Sequence, residues 1–336
     1  MDPMQMPRRS FVLGAAALSA VPALAGQTSR ADEGGIRVVV PFPPGGVIDT
    51  LARPLTEEAG VRLQKAEISI DYVEGQHGSL GTARVAKAAP NGHTLLIGSI
   101  VSQIINCWSS APPPYDPVRD FAPITLIARA ANALVLSPAV AQRLRVNSLA
   151  DLVSLAHRKP GKLTYATLGQ SSVGRVAGEL FAQRTGIDIA HHPYGGTDPA
   201  QAAVLSGEVD FGFLNVASCS SDIRAGHMRA VAVTTLHRSP ELPNVPTMAE
   251  AASELGLGGF DLCFWLALFG PAGMPRELAL RLNGAFVGAL NGTPLRKRLA
   301  ELKLEPAPST PEQLAALVRA DSQRVRELMQ QGRPRI

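Results

Sequence analysis

The sequence predicts an α/β fold built of two similar lobes. Strand-like and helix-like segments alternate along nearly the whole chain, which indicates parallel sheets with right-handed crossovers. Two glycine-containing junctions, at residues 43–46 and 169–174, each join a buried strand to a helix in separate α/β blocks. Ligands of open α/β sheets bind beyond the carboxyl ends of the strands, so two such ends that face each other would form a cleft lined by both junctions.

The individual elements follow from local patterns. β-branched runs and alternation predict strands at 36–42, 68–73, 94–99, 123–128, 133–136, 163–167, 188–191, 209–214, 228–235 and 263–269. Helical spacing and capping residues predict helices at 48–59, 80–89, 148–158, 173–185, 198–206, from 247 onward and at 311–330, with further helices between 270 and 310.

The first 25 residues are typical of an export signal rather than of a folded segment. Arg8 and Arg9 precede an apolar stretch of fifteen residues, which is short for a membrane span, and an A-x-A pattern ends at Ala25. The arginine pair resembles a twin-arginine signal, and an ordinary secretion signal is the alternative. Either way we expect cleavage after about Ala25 and an exported protein without stable membrane insertion.

Composition narrows the classes of function. The 336 residues are 46% hydrophobic and 18% charged, which is typical of a globular protein. Aromatic residues make up only 5%, and the net charge of +4 is spread along the chain, so we expect no nucleic-acid partner. No nucleotide-binding or hydrolase motif is present, and we expect no cofactor and no metal.

Cysteine and histidine residues give no sign of a metal or redox site. Cys107, Cys219 and Cys263 are far apart and form no C-x-x-C pair, so either one disulfide with one free thiol or three free thiols is possible. His191 and His192 are adjacent on a predicted strand, so their side chains point to opposite faces and cannot easily share a metal ion.

The first junction is a candidate anion site. Gly45 and Gly46 lie between a buried strand and a helix, where backbone N–H groups bind anions, and the absence of a lysine favours a small carboxylate over a nucleotide. A tight turn without a ligand is the alternative. Asp49 lies in the first helical turn, where an acid also favours the helix dipole.

The second junction offers hydroxyl groups and a cation. Ser171 or Ser172 could cap the helix or donate to a ligand oxygen. Arg175 lies near the same helix end, where the dipole disfavours a cation, so a bound anion or a position on the solvated surface would explain it. Asp210, in an apolar strand, either faces the cleft as a hydrogen-bond acceptor or lies at the start of the strand.

Several ordered blocks of the sequence resemble one family, the Bug family of receptors of tripartite tricarboxylate transporters. They run from about residue 35 to residue 330 and include VVVPFPPGGVIDTLAR, AKAAPNGHTLLIGS, YDPVRDFAPITLIAR, HPYGGTDPAQAAVLSGEVDFGF and GPAGMPRELALRLN. The resemblance implies a class II periplasmic binding-protein fold, in which two crossing strands join two α/β lobes. The expected lobes are residues 34–128 with about 262–336, and about 129–261.

The resemblance also implies a function. Such receptors bind small carboxylates through main-chain amides of the first-strand loop and the matching loop of the second lobe, here Pro43–Asp49 and Gly169–Arg175. Val47 and Ile48 stand where the family often has a hydroxyl residue before the Asp. Arg175 replaces a family histidine. These departures favour a ligand with one firmly held carboxylate and a bulkier apolar part.

We therefore expect an exported, monomeric solute receptor without catalytic activity, which delivers its ligand to permease subunits in the membrane. An exported hydrolase that pairs Ser172 with His191 or His192, and a ligand-binding module of a membrane sensor, are the alternatives. The predicted ligand-binding residues are Phe42, Pro44, Gly45, Gly46, Val47, Asp49, Ser99, Gly169, Ser171, Ser172, Arg175 and Asp210.

Overall fold

Alternating strands and helices form most of the chain in the computed structural model, which describes residues 35–64, 68–108 and 111–330. The strands are β1 Ile36–Val40, β2 Ile68–Tyr72, β3 Thr94–Ser99, β4 Phe121–Leu136, β5 Leu163–Thr167, β6 Ile189–Pro193, β7 Phe211–Asn215, β8 Arg229–Val233, β9 Cys263–Pro271 and β10 Glu305–Pro306. The expected export signal lies outside the described residues.

Twelve α-helices connect or follow the described strands: α1 Val47–Arg62, α2 Ser79–Ala86, α3 Ile100–Gln103, α4 Pro138–Leu144, α5 Leu149–Arg158, α6 Val173–Thr185, α7 Thr197–Ser206, α8 Val216–Arg224, α9 Met248–Ala252, α10 Arg276–Leu290, α11 Thr293–Glu301 and α12 Pro311–Gln330. Short 3₁₀ helices cover Gln76–Gly78, Ile105–Trp108 and Ser253–Leu255. Within the described part of the chain, no helix is both long and apolar enough to cross a membrane.

One strand, β4, links two groups of strands. The order across the sheet is β2-β1-β3-β9-β4-β7-β5-β6, with β8 and β10 also paired to β4. The first part of β4, through Ala131, pairs with β9, and the part from Asn132 pairs with β7 and β8. The two separate strands expected at 123–128 and 133–136 are therefore one continuous strand, and the expectation of a break between them is wrong.

Apolar side chains cover both faces of the first group of strands. One face packs β1, β3 and β9 against α1, α10 and α11, with Leu55, Leu95 and Phe286 fully buried. The other face is continuous with the core of the second group, where Tyr165, Phe181 and Phe213 are buried and Trp265 lies beneath α12. The burial of one such side chain stabilises the folded protein by roughly 1.5–3 kcal/mol.

The three cysteines are free thiols, so the alternative with one disulfide is wrong. Cys219 and Cys263 are buried and Cys107 is half-buried. Burial raises the pKa of each thiol to about 12, which keeps all three protonated at neutral pH.

Candidate functional site

The pairing registers bring the carboxyl ends of the two strand groups to the middle of β4. Ser99 at the end of β3 pairs with Leu266 of β9, which pairs in turn with Ala128 of β4. Asn215 at the end of β7 pairs with Asn132 of β4. Because β3–β9, β9–β4 and β4–β7 are all antiparallel, β3 and β7 run in opposite directions and their carboxyl ends face each other. The offset between residues 128 and 132 corresponds to roughly 13 Å along β4.

The parallel neighbours of these strands extend the same arrangement. β1 and β2 run parallel to β3, whereas β5 and β6 run parallel to β7. The loops that follow β1 and β2 therefore lie on one side of this gap, and the loops that follow β5 and β6 lie on the other. Both glycine junctions leave their strands at this gap.

The first junction is an exposed loop that opens the helix α1. Gly45 has a φ of +84°, a conformation that favours glycine, whereas Gly46 has an ordinary φ of −78° and is the N-cap of α1. No side chain caps the first turn of this helix. Its amide groups are thus available to an anion, and the helix dipole favours negative charge at this end.

Asp49 holds this loop in place. Its side chain is 7% exposed and accepts a hydrogen bond from the Gly45 amide at 2.7 Å, another from the Tyr72 hydroxyl, and an ion pair from Arg53 Nε at 3.0 Å. Burial alone would raise the pKa of Asp49, but the Tyr72 and Gly45 hydrogen bonds and the Arg53 charge together hold that pKa below its usual range. The carboxylate thus positions Gly45, a role beyond the dipole effect expected from the sequence.

Hydroxyl groups hold the second junction. Gly169 has a φ of +127°, and its carbonyl accepts hydrogen bonds from Ser172 Oγ at 2.8 Å and Thr167 Oγ1 at 3.0 Å. Ser172 also caps α6, because its Oγ accepts from the Arg175 amide at 3.2 Å. His191 Nε2 lies 2.7 Å from Thr167 Oγ1 and extends the network. The capping role predicted for Ser172 is confirmed.

Arg175 is buried and lies next to an acid of its own helix. Its Nη2 is 3.2 Å from Glu179 Oε1, and the two side chains are 9% and 11% exposed. The Tyr165 hydroxyl donates to the same Glu179 oxygen at 3.2 Å. The alternative of a solvated surface position is therefore wrong. The negative charge that Arg175 requires is supplied by Glu179, so its presence alone does not imply a ligand anion.

The remaining predicted residues divide into two groups. The first loop contains Phe42, Pro44 and Val47, and Val47 is 49% exposed. The second loop contains Ser171. Ser99 is buried and is the N-cap of α3.

Asp210 does not lie at the gap with these residues. It precedes β7, at the end opposite the gap, where it pairs with Arg143 at 3.0 Å and accepts from the Thr164 amide at 3.0 Å. Its expected position in the cleft is wrong.

Two further loops reach the same gap and were not predicted. After β2, the residues from Gly75 to Gly78 all have positive φ, including Gln76 and His77, and Asn106 Nδ2 donates to the His77 carbonyl at 3.0 Å. After β6, Gly196 precedes α7 with a φ of +144°. The loop after β6 has the same pattern as the first junction, a glycine pair before a helix. The sequence could therefore have identified this loop.

The residues of the hydrolase alternative do not meet. Ser172 Oγ donates to the Gly169 carbonyl, and His191 Nε2 contacts Thr167 Oγ1, so both groups have other partners within the described residues. Burial, together with the charges of Arg175 and His192, lowers the pKa of His191 to about 3. A ring with so low a pKa is a poor general base at neutral pH.

Comparison with known proteins gives relatives along nearly the whole chain. A UPF0065 protein from the tcbD-tcbE intergenic region of a Pseudomonas species is 35% identical over 291 residues, which is 87% of this chain and 84% of the relative. BugT of Bordetella pertussis is 31% identical over 290 residues, which is 86% of each chain.

Solved structures of other proteins resemble this chain in both fold and sequence. A Rhodopseudomonas palustris protein solved with adipate is 31% identical, with a TM-score of 0.68 over 89% of this chain and 97% of its own. MatC of Rhodopseudomonas palustris, solved with bound malate, is 30% identical, with a TM-score of 0.67 over 89% of this chain and 99% of its own. These similarities support the two-lobed periplasmic binding-protein architecture.

A family model covers most of the chain as well. The TctC model, described as the tripartite tricarboxylate transporter family receptor, matches residues 51–333. Receptors of this kind are periplasmic, and the matched range includes the second junction as well as α12. The chain therefore belongs to the TctC family of tripartite tricarboxylate transporter receptors, the family that its ordered sequence blocks resemble.

Proposed function

We propose that this receptor binds one small carboxylate between the Pro43–Asp49 loop and the Gly169–Arg175 loop. The observation that carries the proposal is the convergence of two glycine junctions, each at a helix N-terminus, on the gap at the middle of β4. Two structural relatives were solved with adipate and with malate, which supports the ligand class.

Carboxylate recognition would rest mainly on backbone donors. The uncapped first turn of α1 presents N–H groups, and the positive φ of Gly45 sets their direction. Hydrogen bonds to a charged acceptor contribute roughly 1.5–3 kcal/mol each, so two or three of them suffice for a small ligand. Asp49 would not repel the anion strongly, because its own charge is already bound by Tyr72, Gly45 and Arg53.

The ligand would carry an apolar part beside its carboxylate. Val47 is 49% exposed at the start of α1, and Leu80 is 46% exposed at the start of α2, next to the loop that follows β2. Exposed apolar side chains at a cleft edge gain free energy when a ligand covers them. This favours aliphatic or aromatic acids over citrate-like ligands with hydroxyl groups.

The biological setting is part of the same proposal. The chain would be exported, by the twin-arginine or the general secretory route, and cleaved after about Ala25. It would then act as a non-catalytic monomer that presents its ligand to permease subunits. The lobes would be residues 34–128 with about 262–336, and about 129–261. The change of partners along β4 after Ala131 supports a hinge at that point.

A thermal-shift screen tests the ligand class. Small mono- and dicarboxylic acids should raise the melting temperature, because ligand binding to the folded state stabilises it. The methyl esters and amides of the acids that bind should bind at least about tenfold more weakly, since a charge-assisted hydrogen bond is lost. Equal stabilisation by an acid and its ester would overturn the proposal.

A further inference from the structure

A second cavity lies away from the two glycine junctions. It has a volume of about 810 Å³ and is formed by the 3₁₀ helix Ile105–Trp108, the turn around residue 117 and the C-terminal half of α12. This volume falls within the range of small-molecule sites, roughly 300–1,000 Å³. None of the residues that line the cavity belongs to either junction loop.

Three arginines line this cavity: Arg119, Arg319 and Arg326. Among the described residues, none of the three forms an ion pair; Arg326 instead lies over the Trp108 ring, with its guanidinium carbon 5.8 Å from the ring centroid. All three arginines are exposed, so their charges are solvated and no acid has to be displaced from them when a ligand binds. A ligand with several anionic oxygens would match the planar guanidinium donors.

Two acids also line the cavity, but both have other partners. Asp116 Oδ1 accepts from the backbone amides of Val118 at 2.8 Å and Arg119 at 2.9 Å, so this carboxylate stabilises the turn. Glu327 Oε1 accepts from Gln323 at 2.8 Å along α12. Three cations and two acids leave the cavity with net positive charge.

A buried hydroxyl group adds a further polar feature. Ser322 lines the cavity between the turns of α12 that carry Arg319 and Arg326, and the residue is 4% exposed. Its Oγ has no hydrogen-bond partner among the described residues. Buried hydroxyl groups in proteins are normally hydrogen-bonded, so Ser322 is an unsatisfied polar group beside the cavity.

We propose that this cavity is a second binding site, for a small polyanion with at least two anionic groups, held by Arg319 and Arg326 with Arg119 at its edge. Carboxylates and phosphates share this chemistry. The site is independent of the proposed carboxylate cleft, because it shares no lining residue with the junction loops. Bound ligand would join α12 to the 3₁₀ helix Ile105–Trp108 and to the turn around residue 117.

Titration calorimetry with two probes tests the site. Inorganic pyrophosphate and propane-1,2,3-tricarboxylate should be compared at matched ionic strength, so that the phosphate and carboxylate sources are distinguished. We expect at least one of them to bind the parent protein. In Arg319→Ala/Arg326→Ala its affinity should fall at least about tenfold, the loss expected for a charged hydrogen-bonded pair. The double variant Arg281→Ala/Arg296→Ala is the control, because it removes the same charge from exposed positions on α10 and α11.

Two further variants locate the bound probe. Trp108 and Trp265 are the two tryptophans of the chain, and Trp265 is fully buried, so a fluorescence change on binding should disappear in Trp108→Phe. Binding should persist in Gly45→Val, which alters the cleft loop.

Three results would overturn the proposal: no binding of either probe, equal weakening in the control double variant, or loss of binding in Gly45→Val. If only the cleft proposal fails, simple carboxylic acids will not raise the melting temperature, but the probes will still bind the second site.

Discussion

Both glycine junctions place a helix N-terminus at the gap, but different side-chain groups hold the two loops in place. The first is held by a carboxylate, since Asp49 bonds the Gly45 amide, Tyr72 and Arg53. The second is held by hydroxyl groups that converge on the Gly169 carbonyl. The first network is open to solvent at Arg53, which is 58% exposed. A positive φ ahead of a helix N-terminus therefore does not dictate one set of supporting residues.

The charges differ between the junctions in a way that affects stability. Beside the second junction, Arg175 and Glu179 form a pair that is buried on both sides, whereas the Asp49–Arg53 pair is buried only at the acid. A charge left alone in a buried position is costly, and one left near the surface is solvated. Variants of the second junction should therefore affect folding more than variants of the first.

The largest effect is expected from Arg175. Arg175→Met removes one partner of the buried Arg175–Glu179 pair and should lower the free energy of unfolding by about 3–5 kcal/mol, the usual cost of breaking a buried pair from one side. Arg175→Met/Glu179→Met should regain much of this loss. Chemical denaturation of the parent and the variants measures both values. A single variant as stable as the parent would show that the pair is unimportant.

The same variants separate folding from ligand binding. If Arg175 also contacts the ligand, the restored double variant should still bind the carboxylate at least about tenfold more weakly, and Arg175→Lys should recover only part of the affinity because an ammonium lacks the planar fork. Parent-like affinity in the double variant would confine Arg175 to a structural role.

A smaller effect is expected from Asp49. Asp49→Asn removes a charge that accepts three interactions and should destabilise the protein by roughly 1.5–3 kcal/mol, the value for hydrogen bonds to a charged group. Glu312→Gln is the matched control, because Glu312 also lies in a first helical turn beside an arginine but is 60% exposed. The midpoint of urea unfolding should be lower for Asp49→Asn than for Glu312→Gln. Equal midpoints for the two variants would show that Asp49 does not anchor the loop.

The two glycines of the first junction should respond differently. Gly45→Ala places a side chain at a φ of +84°, which costs about 1–2 kcal/mol and should weaken ligand binding by about tenfold. Gly46→Ala needs no such φ, and its Cβ would be 3.7 Å from the Pro43 carbonyl oxygen, an ordinary contact. Calorimetry with the best acid from the screen compares them. A greater loss of affinity in Gly46→Ala than in Gly45→Ala would mean that ligand contact, rather than backbone conformation, determines the affinity.

Local patterns sufficed for much of this fold. The strands Thr94–Ser99 and Leu163–Thr167 and the helices Val173–Thr185 and Pro311–Gln330 have the predicted bounds, because apolar periodicity and caps are encoded within each segment. The centre of β4 was missed since Arg129 interrupts the apolar run. Its charge is accommodated by Cys263 and Asp261, which are distant in sequence.

The candidate site was predictable where the chain itself forms it. The glycine junctions and the Ser172 cap are contiguous in sequence, so their roles could be inferred. Asp210 could not be placed, because its partner Arg143 is 67 residues away along the chain. The pairing of Arg175 with Glu179, by contrast, is an i, i+4 contact on one helix and was available from the sequence.

The smallest effect concerns His191, beneath the second junction. Its pKa is lowered to about 3 by burial and by the charges of Arg175 and His192, whereas the unfolded chain has a value near 6.5. The unfolded state therefore takes up a proton first as the pH falls. The contribution of His191 to stability is complete above about pH 6.5 and declines as the pH falls towards 3.

His191→Gln should flatten this pH dependence. The amide can still donate to Thr167 but does not titrate, so between about pH 6.5 and 5 the stability of the variant should fall less steeply than that of the parent. The difference in slope has an upper bound of about 1.4 kcal/mol per pH unit, and the half-exposed ring should give well under that because solvent screens it. His237→Gln, which replaces an exposed histidine in the loop after β8, is the control for the loss of a histidine side chain. Parallel unfolding profiles for the parent and His191→Gln would mean that the ring is not kept neutral in the folded protein.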